Sequence, residues 1–212
     1  IENNTTANSV TQHGIYVSNS ADNPTIRGNA SYGNYQCGIQ INADASMGGD
    51  GIITGALVEG NVIHDNGLGG GSGLNFDGLQ NSVIRNNLLY NNHASGISLY
   101  MIDAAEGAKN NVVVNNTIIE ASDARWAVNI KNGSTGNKVL NNILFNNNPS
   151  RGSINIVSDS LSGFVSDYNV VVDRFSTDDG ITVNTLAQWR ASTGQDGHSI
   201  ISTPAATFVS SS

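Results

Sequence analysis

The sequence predicts an all-β fold, a parallel β-solenoid in which short strands stack coil upon coil. Two observations carry this prediction: a strand-like segment recurs every 23 to 35 residues, and an asparagine recurs in step with it. Composition agrees, because 31 asparagines and 24 glycines among 212 residues favour many tight turns.

The recurring segment begins with a small residue and then alternates apolar and polar residues. This period of two is typical of a strand with one buried and one exposed face. The segments cover residues 14–18, 38–42, 73–77, 96–100, 127–131, 153–157 and 180–184. We interpret them as the first strand in each of about seven coils.

The second marker is an asparagine that lies between two short apolar runs in each repeat. The positions are Asn29, Asn61, Asn87, Asn116, Asn142 and Asn169. Each coil therefore holds three short strands, and stacking at about 4.8 Å would align these residues in a column. Each side-chain amide would then bond to the next, so we predict an asparagine ladder.

The charges two positions before the ladder alternate in sign over the first three coils. They are Arg27, Glu59 and Arg85. We interpret them as structural pairs between neighbouring coils, each of small energetic value.

The predicted coils end at residue 184, and residues 185–212 are predicted to form a C-terminal cap and tail. A short helix in this segment would place Leu186 and Trp189 over the open end of the last coil. At the other end, residues 2–4 repeat the pattern of residues 85–87, so the chain opens in the middle of a coil. We therefore expect other domains in a longer chain.

Charge and hydropathy exclude several classes of function. The 17 acidic residues outnumber 9 basic ones, for a net charge of −8, which does not suit a nucleic-acid partner. No apolar run is long enough to span a membrane. The single cysteine, Cys37, excludes an intrachain disulfide.

With these two recurring motifs, the chain resembles the right-handed parallel β-helix repeat proteins of the pectate-lyase-like superfamily. The resemblance covers essentially the whole chain, and residues 185–201 resemble the ending common in secreted bacterial members. It implies a right-handed, single-stranded parallel β-helix, a secreted or extracellular location and a polysaccharide or oligosaccharide partner. The motifs specify the fold strongly and the chemistry weakly.

The resemblance also implies that substrate lies along the exposed face of the first strands. Strand alternation gives two columns of outward-facing residues. The inner column is Tyr16, Gln40, Asn75, Ser98, Asn129, Asn155 and Thr182. The outer column is Ser18, Asn42, Asp77, Tyr100, Lys131, Val157 and Asn184. The predicted substrate-binding residues are Gln40, Asn42, Asn75, Ser98, Asn129, Asn155 and His93. Two long insertions, residues 43–55 and 102–109, are expected to wall a groove.

Asp77, Tyr100 and Lys131 are the candidate catalytic residues, because the outer column brings them side by side. Lyase or epimerase chemistry needs a base and a cation that neutralises the sugar carboxylate. Lys131 or Tyr100 would be the base if its pKa were lowered, and Asp77 with Asp103 is the best carboxylate pair for hydrolysis. No cofactor is required, calcium is possible, and no metal site is clear.

Three functions stay open at this stage. Binding or scaffolding on a glycan is favoured, because the aspartate clusters of β-helix galacturonases and the Asp-Pro-His signature of β-helix epimerases are absent. The alternatives are a carbohydrate-active enzyme (a uronan lyase, an epimerase or a glycoside hydrolase) and a structural or adhesin-like spacer. A further column, which includes Tyr32, His64 and Tyr90, is either internal packing or an external platform for sugar rings.

Overall fold

The structure, a computed structural model, describes residues 1–209 as a parallel β-solenoid with three main sheets. The first sheet contains Ile15–Asn19, Ile39–Ala43, Leu74–Asp77, Ile97–Tyr100, Val128–Ile130, Ile154–Ile156 and Phe175–Ser176. The second contains Thr25–Arg27, Leu57–Glu59, Val83–Arg85, Val112–Val114, Lys138–Leu140 and Val165–Asp167. The third contains Thr5–Ala7, Ala30–Tyr32, Val62–His64, Leu88–Tyr90, Thr117–Glu120, Ile143–Asn146, Val170–Val171 and Ile200–Ile201.

Five further elements complete the fold. Ile53–Thr54 and Leu79–Gln80 form a separate two-stranded parallel sheet, which connects the first long insertion to the next coil. Ser158–Ser160 is a 3₁₀ helix, and the two α-helices near the C-terminus are α1 (Leu186–Thr193) and α2 (Pro204–Thr207). The predicted all-β solenoid with a short C-terminal helix is confirmed.

Stacking is in register, so like residues form columns inside the solenoid. In the first sheet one buried column runs through Ile15, Ile39, Leu74, Ile97, Val128, Ile154 and Phe175. The middle residue of most strands in the other two sheets is buried in the same way. One continuous apolar core results, and no coil could bury this surface alone.

The asparagine ladder is confirmed. From Asn29 to Asn169, each side-chain amide nitrogen donates to the Oδ1 atom of the next asparagine at 2.9–3.2 Å. A second ladder joins Asn34, Asn66 and Asn92 at the turn between the third and first sheets, at 2.9 and 3.1 Å. The alternating charges also pair as predicted, since Glu59 lies 3.8 Å from Arg27 and 2.7 Å from Arg85.

The prediction that residues 180–184 form the last strand of the first sheet is wrong. Phe175–Ser176 pairs with Ile154 and Asn155 in its place, and residues 177–183 form a loop that returns at Asn184 to an antiparallel bridge with Phe175. The aromatic side chain of Phe175 fills the core position, whereas Ile181 is 88% exposed. An apolar alternation alone did not distinguish the strand from this loop.

Helix α1 closes the end of the solenoid as predicted. Thr185 and Gln188 form a reciprocal capping box at its start, and Gly194 ends it with a φ of 70°. Leu186 and Trp189 are buried, and the Trp189 ring stacks on Phe175 with the centroids 5.1 Å apart. Within residues 1–209, no helix is both long and apolar enough to cross a membrane.

Candidate functional site

The predicted inner column exists, but it is largely closed rather than exposed. Strand pairing aligns Tyr16, Gln40, Asn75, Ser98, Asn129, Asn155 and Ser176, the last in place of Thr182. Tyr16 is 52% exposed, whereas Gln40, Ser98, Asn129 and Asn155 are buried. Several of these polar groups bond to one another, as Asn155 does to Asn129 and Asn75 does to Gln40.

A polar network joins the middle of the two columns. The Asn75 amide donates to Tyr100 Oη and to Gln40 Oε1, both at 2.6 Å, and Gln40 Nε2 donates to Asn42 Oδ1 at 2.8 Å. Burial, followed by the charge of Asp77, raises the pKa of Tyr100 well above its usual range. This direction is opposite to the shift that a Tyr100 base would need, and a catalytic role for Tyr100 stays a prediction.

Asp77 lies beneath the second insertion and is fully buried. Its two carboxylate oxygens accept hydrogen bonds from the backbone N–H groups of Ile102 at 2.9 Å and Asp103 at 2.8 Å. Burial raises the pKa of Asp77, and these backbone donors oppose that shift. The observed contacts of Asp77 thus fix the insertion, and a catalytic role for this residue stays a prediction.

The two insertions form one joined wall. Ala45 N–H donates to the Asp103 carbonyl, and Ala105 N–H donates to the Gly51 carbonyl, both at 3.0 Å. The Asp103 carboxylate accepts a hydrogen bond from the Asn42 amide at 3.3 Å. Asp103 is therefore near the outer column, next to the loop that Asp77 anchors.

A groove opens beside this wall, over the later coils of the first sheet. It consists of two adjoining cavities of about 190 and 300 Å³ that share Arg125, Asn129 and Lys131. The smaller cavity also contains Asn75, Ser98 and Tyr100, and the larger one contains Trp126, Arg151 and Asp179. Five predicted site residues thus meet in one groove: Asn75, Ser98, Tyr100, Asn129 and Lys131.

Arg125 and Arg151 are groove residues that the sequence reasoning missed. Each lies two positions before a recurring segment, and strand alternation was applied only within the segments. Arg151 donates from Nη1 to the Gly180 carbonyl at 2.6 Å, and its guanidinium carbon lies 5.9 Å from the centroid of Trp126. The sequence signal that could have identified them is that both arginines lie at the same distance before a recurring segment.

The other predicted binding residues have mainly internal contacts. Asn155 Nδ2 donates to Asn129 Oδ1 at 2.7 Å, and Ser98 Oγ lies 2.8 Å from Ser72 Oγ. His93 lies outside both cavities, with Nδ1 2.9 Å from the Asp123 carboxylate. Binding by these residues stays a prediction.

The aromatic column of the third sheet is partly exposed, and its three rings stack on one another. His64 stacks between Tyr32 and Tyr90, with centroids 4.8 and 4.5 Å away and planes within 6°. The rings therefore stack on one another along the solenoid and turn their edges outward. Stacking covers both faces of His64, which agrees with the packing alternative at that residue.

No group of three or more His, Cys, Asp or Glu side chains within residues 1–209 is arranged to hold a metal ion. Calcium binding stays a prediction, because backbone and amide oxygens also serve that ion.

The sheets, ladders and groove together define a right-handed parallel β-helix protein. The chain belongs to the family described as "Right handed beta helix region", which matches residues 1–172. Among curated proteins there is no match.

Two solved structures superpose on this chain. The A-module of a mannuronan C-5 epimerase from Azotobacter vinelandii superposes with a TM-score of 0.53 at 14% identity, over 96% of this chain and 51% of that one. A periplasmic alginate epimerase superposes with a TM-score of 0.41 at 16% identity, over 95% of this chain and 39% of that one. This chain thus spans about half the length of the mannuronan epimerase module.

Proposed function

We propose that this chain binds an anionic polysaccharide in the groove over its first sheet. One observation carries the proposal: of the nine lysines and arginines in an acidic chain, three converge on this groove. They are Arg125, Lys131 and Arg151. Such a cluster on a chain of net charge −8 attracts a ligand that carries carboxylates or comparable anions.

The other groove residues suit the uncharged part of a sugar. Arginine binds carboxylates in a bidentate manner, and lysine acts as a point charge. Asn75, Ser98 and Asn129 provide amide and hydroxyl groups for sugar hydroxyls. The solved module with a TM-score of 0.53 is named a mannuronan C-5 epimerase, which supports a polysaccharide ligand.

Direct binding measurements test this proposal. We expect the protein to be retarded in affinity gels that contain a polyuronate, and not in gels that contain a neutral glucan. Lys131→Gln and Arg125→Gln should each weaken polyuronate binding about 5-fold or more, since charge-assisted bonds are lost. Lys138→Gln is the matched control, because Lys138 is an exposed cation on the second sheet.

Equal retardation by both glycans, or an equal loss with Lys138→Gln, would contradict the proposal. Absence of binding to any glycan would favour the structural or adhesin-like spacer.

A carbohydrate-active enzyme is the second candidate, because Tyr100 and Lys131 line the same cavity. Lyase, epimerase and hydrolase reactions are separated by an unsaturated product, by exchange of the C5 proton with solvent and by new reducing ends. An activity that Lys131→Ala abolishes without unfolding the chain would support the enzyme, and silence in all three assays would remove it. A glycan-directed role of either kind implies a secreted or extracellular protein.

A further inference from the structure

The loop of residues 177–183 covers one end of the groove and is held in a defined conformation. Asp178 Oδ1 accepts hydrogen bonds from Ser176 Oγ at 2.8 Å and from Thr182 N–H at 2.9 Å. Arg151 fixes the same loop through the Gly180 carbonyl. The loop therefore places its remaining acidic residue, Asp179, in a reproducible position.

Asp179 directs its carboxylate into the cationic cavity. Oδ2 lies 3.8 Å from Lys131 Nζ, and Oδ1 accepts a long hydrogen bond from Asn155 Nδ2 at 3.4 Å. Asp179 is also the acidic residue that lines this cavity together with Arg125, Lys131 and Arg151. A carboxylate of the chain thus stands where the carboxylate of an anionic sugar would meet Lys131.

The neighbouring acid, Asp178, has a different role. Hydrogen bonds from the backbone and side chain of Thr182 hold the pKa of Asp178 below its usual range, and its contacts lie within the loop. Asp179 makes no comparable set of short bonds among the described residues, and its side chain is 57% exposed. Its pairing with Lys131 is accordingly weak and easily replaced.

We propose that Asp179 is a specificity-determining residue that competes with the carboxylate of a bound sugar for Lys131. This inference rests on the proposed function. Because a sugar carboxylate at Lys131 must displace Asp179 or lie beside its like charge, Asp179 lowers the affinity for anionic sugars. It leaves neutral sugars almost unaffected, and so it limits how strongly the groove prefers anionic over neutral glycans.

Substitution of Asp179 tests the inference through a gain of binding, which a damaged fold would not produce. We expect Asp179→Asn to bind polyuronate oligosaccharides about 2- to 5-fold more tightly than the wild type at low salt, the range of an exposed ion pair. The gain should shrink at high salt and should vanish when Lys131→Gln is added. Affinity for neutral oligosaccharides should not change.

Asp159→Asn is the matched control, because it removes the same charge from an exposed residue outside the groove. The inference is overturned if Asp179→Asn binds polyuronate with equal or lower affinity, if Asp159→Asn gives the same gain, or if the gain persists without Lys131. A wild-type protein that binds no glycan would instead refute the proposed function. The two failures are therefore distinguishable.

Discussion

The side-chain amide nitrogen of Asn87 lies 2.9 Å from Oδ1 of Asn116, one coil further along the solenoid. The backbone N–H of Asn87 donates to the same oxygen at 3.1 Å, and Asn87 Nδ2 also donates to the Val58 carbonyl at 3.0 Å. One buried amide thus satisfies donors and acceptors of three successive coils. These turns have little other source of hydrogen bonds, because they are shielded from water.

Loss of one ladder member should therefore cost more than loss of an exposed asparagine. We expect Asn116→Gly to lower the free energy of unfolding by about 2–5 kcal/mol, since several buried groups lose their partners. Asn115→Gly is the control: Asn115 is exposed and has a φ of 56°, which glycine accepts. Similar losses for the two variants in urea denaturation would show that the ladder contributes little.

Glu120 should make stability depend on pH. It is fully buried, and neither carboxylate oxygen has a hydrogen-bond partner of normal geometry within residues 1–209. Burial raises the pKa of Glu120 well above 4.5, against the smaller opposing effect of the Asn92 side chain. The folded state thus holds a proton on Glu120 that the unfolded state releases. The contribution of this proton to the free energy of unfolding is complete below pH 4.5 and is lost as the pH rises through the folded pKa. Glu120→Gln should be more stable than the wild type, by a margin that grows over this interval.

Urea denaturation between pH 4 and pH 8 measures this margin. Glu106→Gln is the comparison, since Glu106 is exposed and its pKa is lowered by Lys109. A constant difference between Glu120→Gln and the wild type across the pH range would contradict the assignment of a neutral buried acid.

Asp196 is expected to be the most sensitive residue of the C-terminal cap. Its buried carboxylate accepts hydrogen bonds from Trp189 Nε1 at 2.8 Å, Ser199 Oγ at 2.6 Å, Ser166 Oγ at 3.0 Å and Asn169 Nδ2 at 3.1 Å. It thereby ends the asparagine ladder and anchors α1. Asp196→Ala should cost about 3–5 kcal/mol, because four buried donors lose their acceptor.

Asp179→Ala is the control for backbone strain at Asp196. Both residues have a φ of about 60°, so both alanine variants carry the same conformational cost, but Asp179 lacks a buried network. Thermal unfolding followed by circular dichroism should show a much larger loss for Asp196→Ala. Equal losses would assign the whole effect to the backbone.

The fold was predictable because each coil repeats the physical requirement of the last. A residue in register with a neighbour must fit the same column, so the apolar alternation and the asparagine spacing are visible in one sequence. The same reasoning predicted the charge pairs of Glu59, whereas the i, i+3 spacing of Leu186 and Trp189 predicted the cap. It failed at residues 180–184, where Asp178 and Arg151 organise a loop through contacts that no repeat encodes.

The site was predictable only in part, because a column gives the direction of a side chain and not its exposure. Alternation aligned Asn75, Ser98 and Asn129 correctly, but it did not show that most of the column is buried and joined by mutual hydrogen bonds. Arg125 and Arg151 reach the groove from turns, whose geometry depends on neighbouring coils. The cationic character of the groove therefore emerged only from the three-dimensional structure.

Tyr16 should affect binding only for glycans long enough to reach it. It occupies the first position of the inner column, four strands from Asn129, or about 19 Å at the spacing of paired strands. Its ring is half exposed beside His13, with the ring centroids 5.3 Å apart, and it opens to a shallow cavity of about 400 Å³.

If a polysaccharide lies along the column, Tyr16→Ala should weaken the binding of long polyuronate chains. It should leave the binding of short chains that fill only the cationic cavities unchanged. Calorimetric titration with a size series measures this dependence. Tyr168→Ala is the control, because Tyr168 is an exposed tyrosine between the strands Val165–Asp167 and Val170–Val171, away from the first sheet. No loss for any chain length would mean that the glycan does not follow the column to Tyr16, and an equal loss for every length would assign the effect to the fold or to the short-chain site.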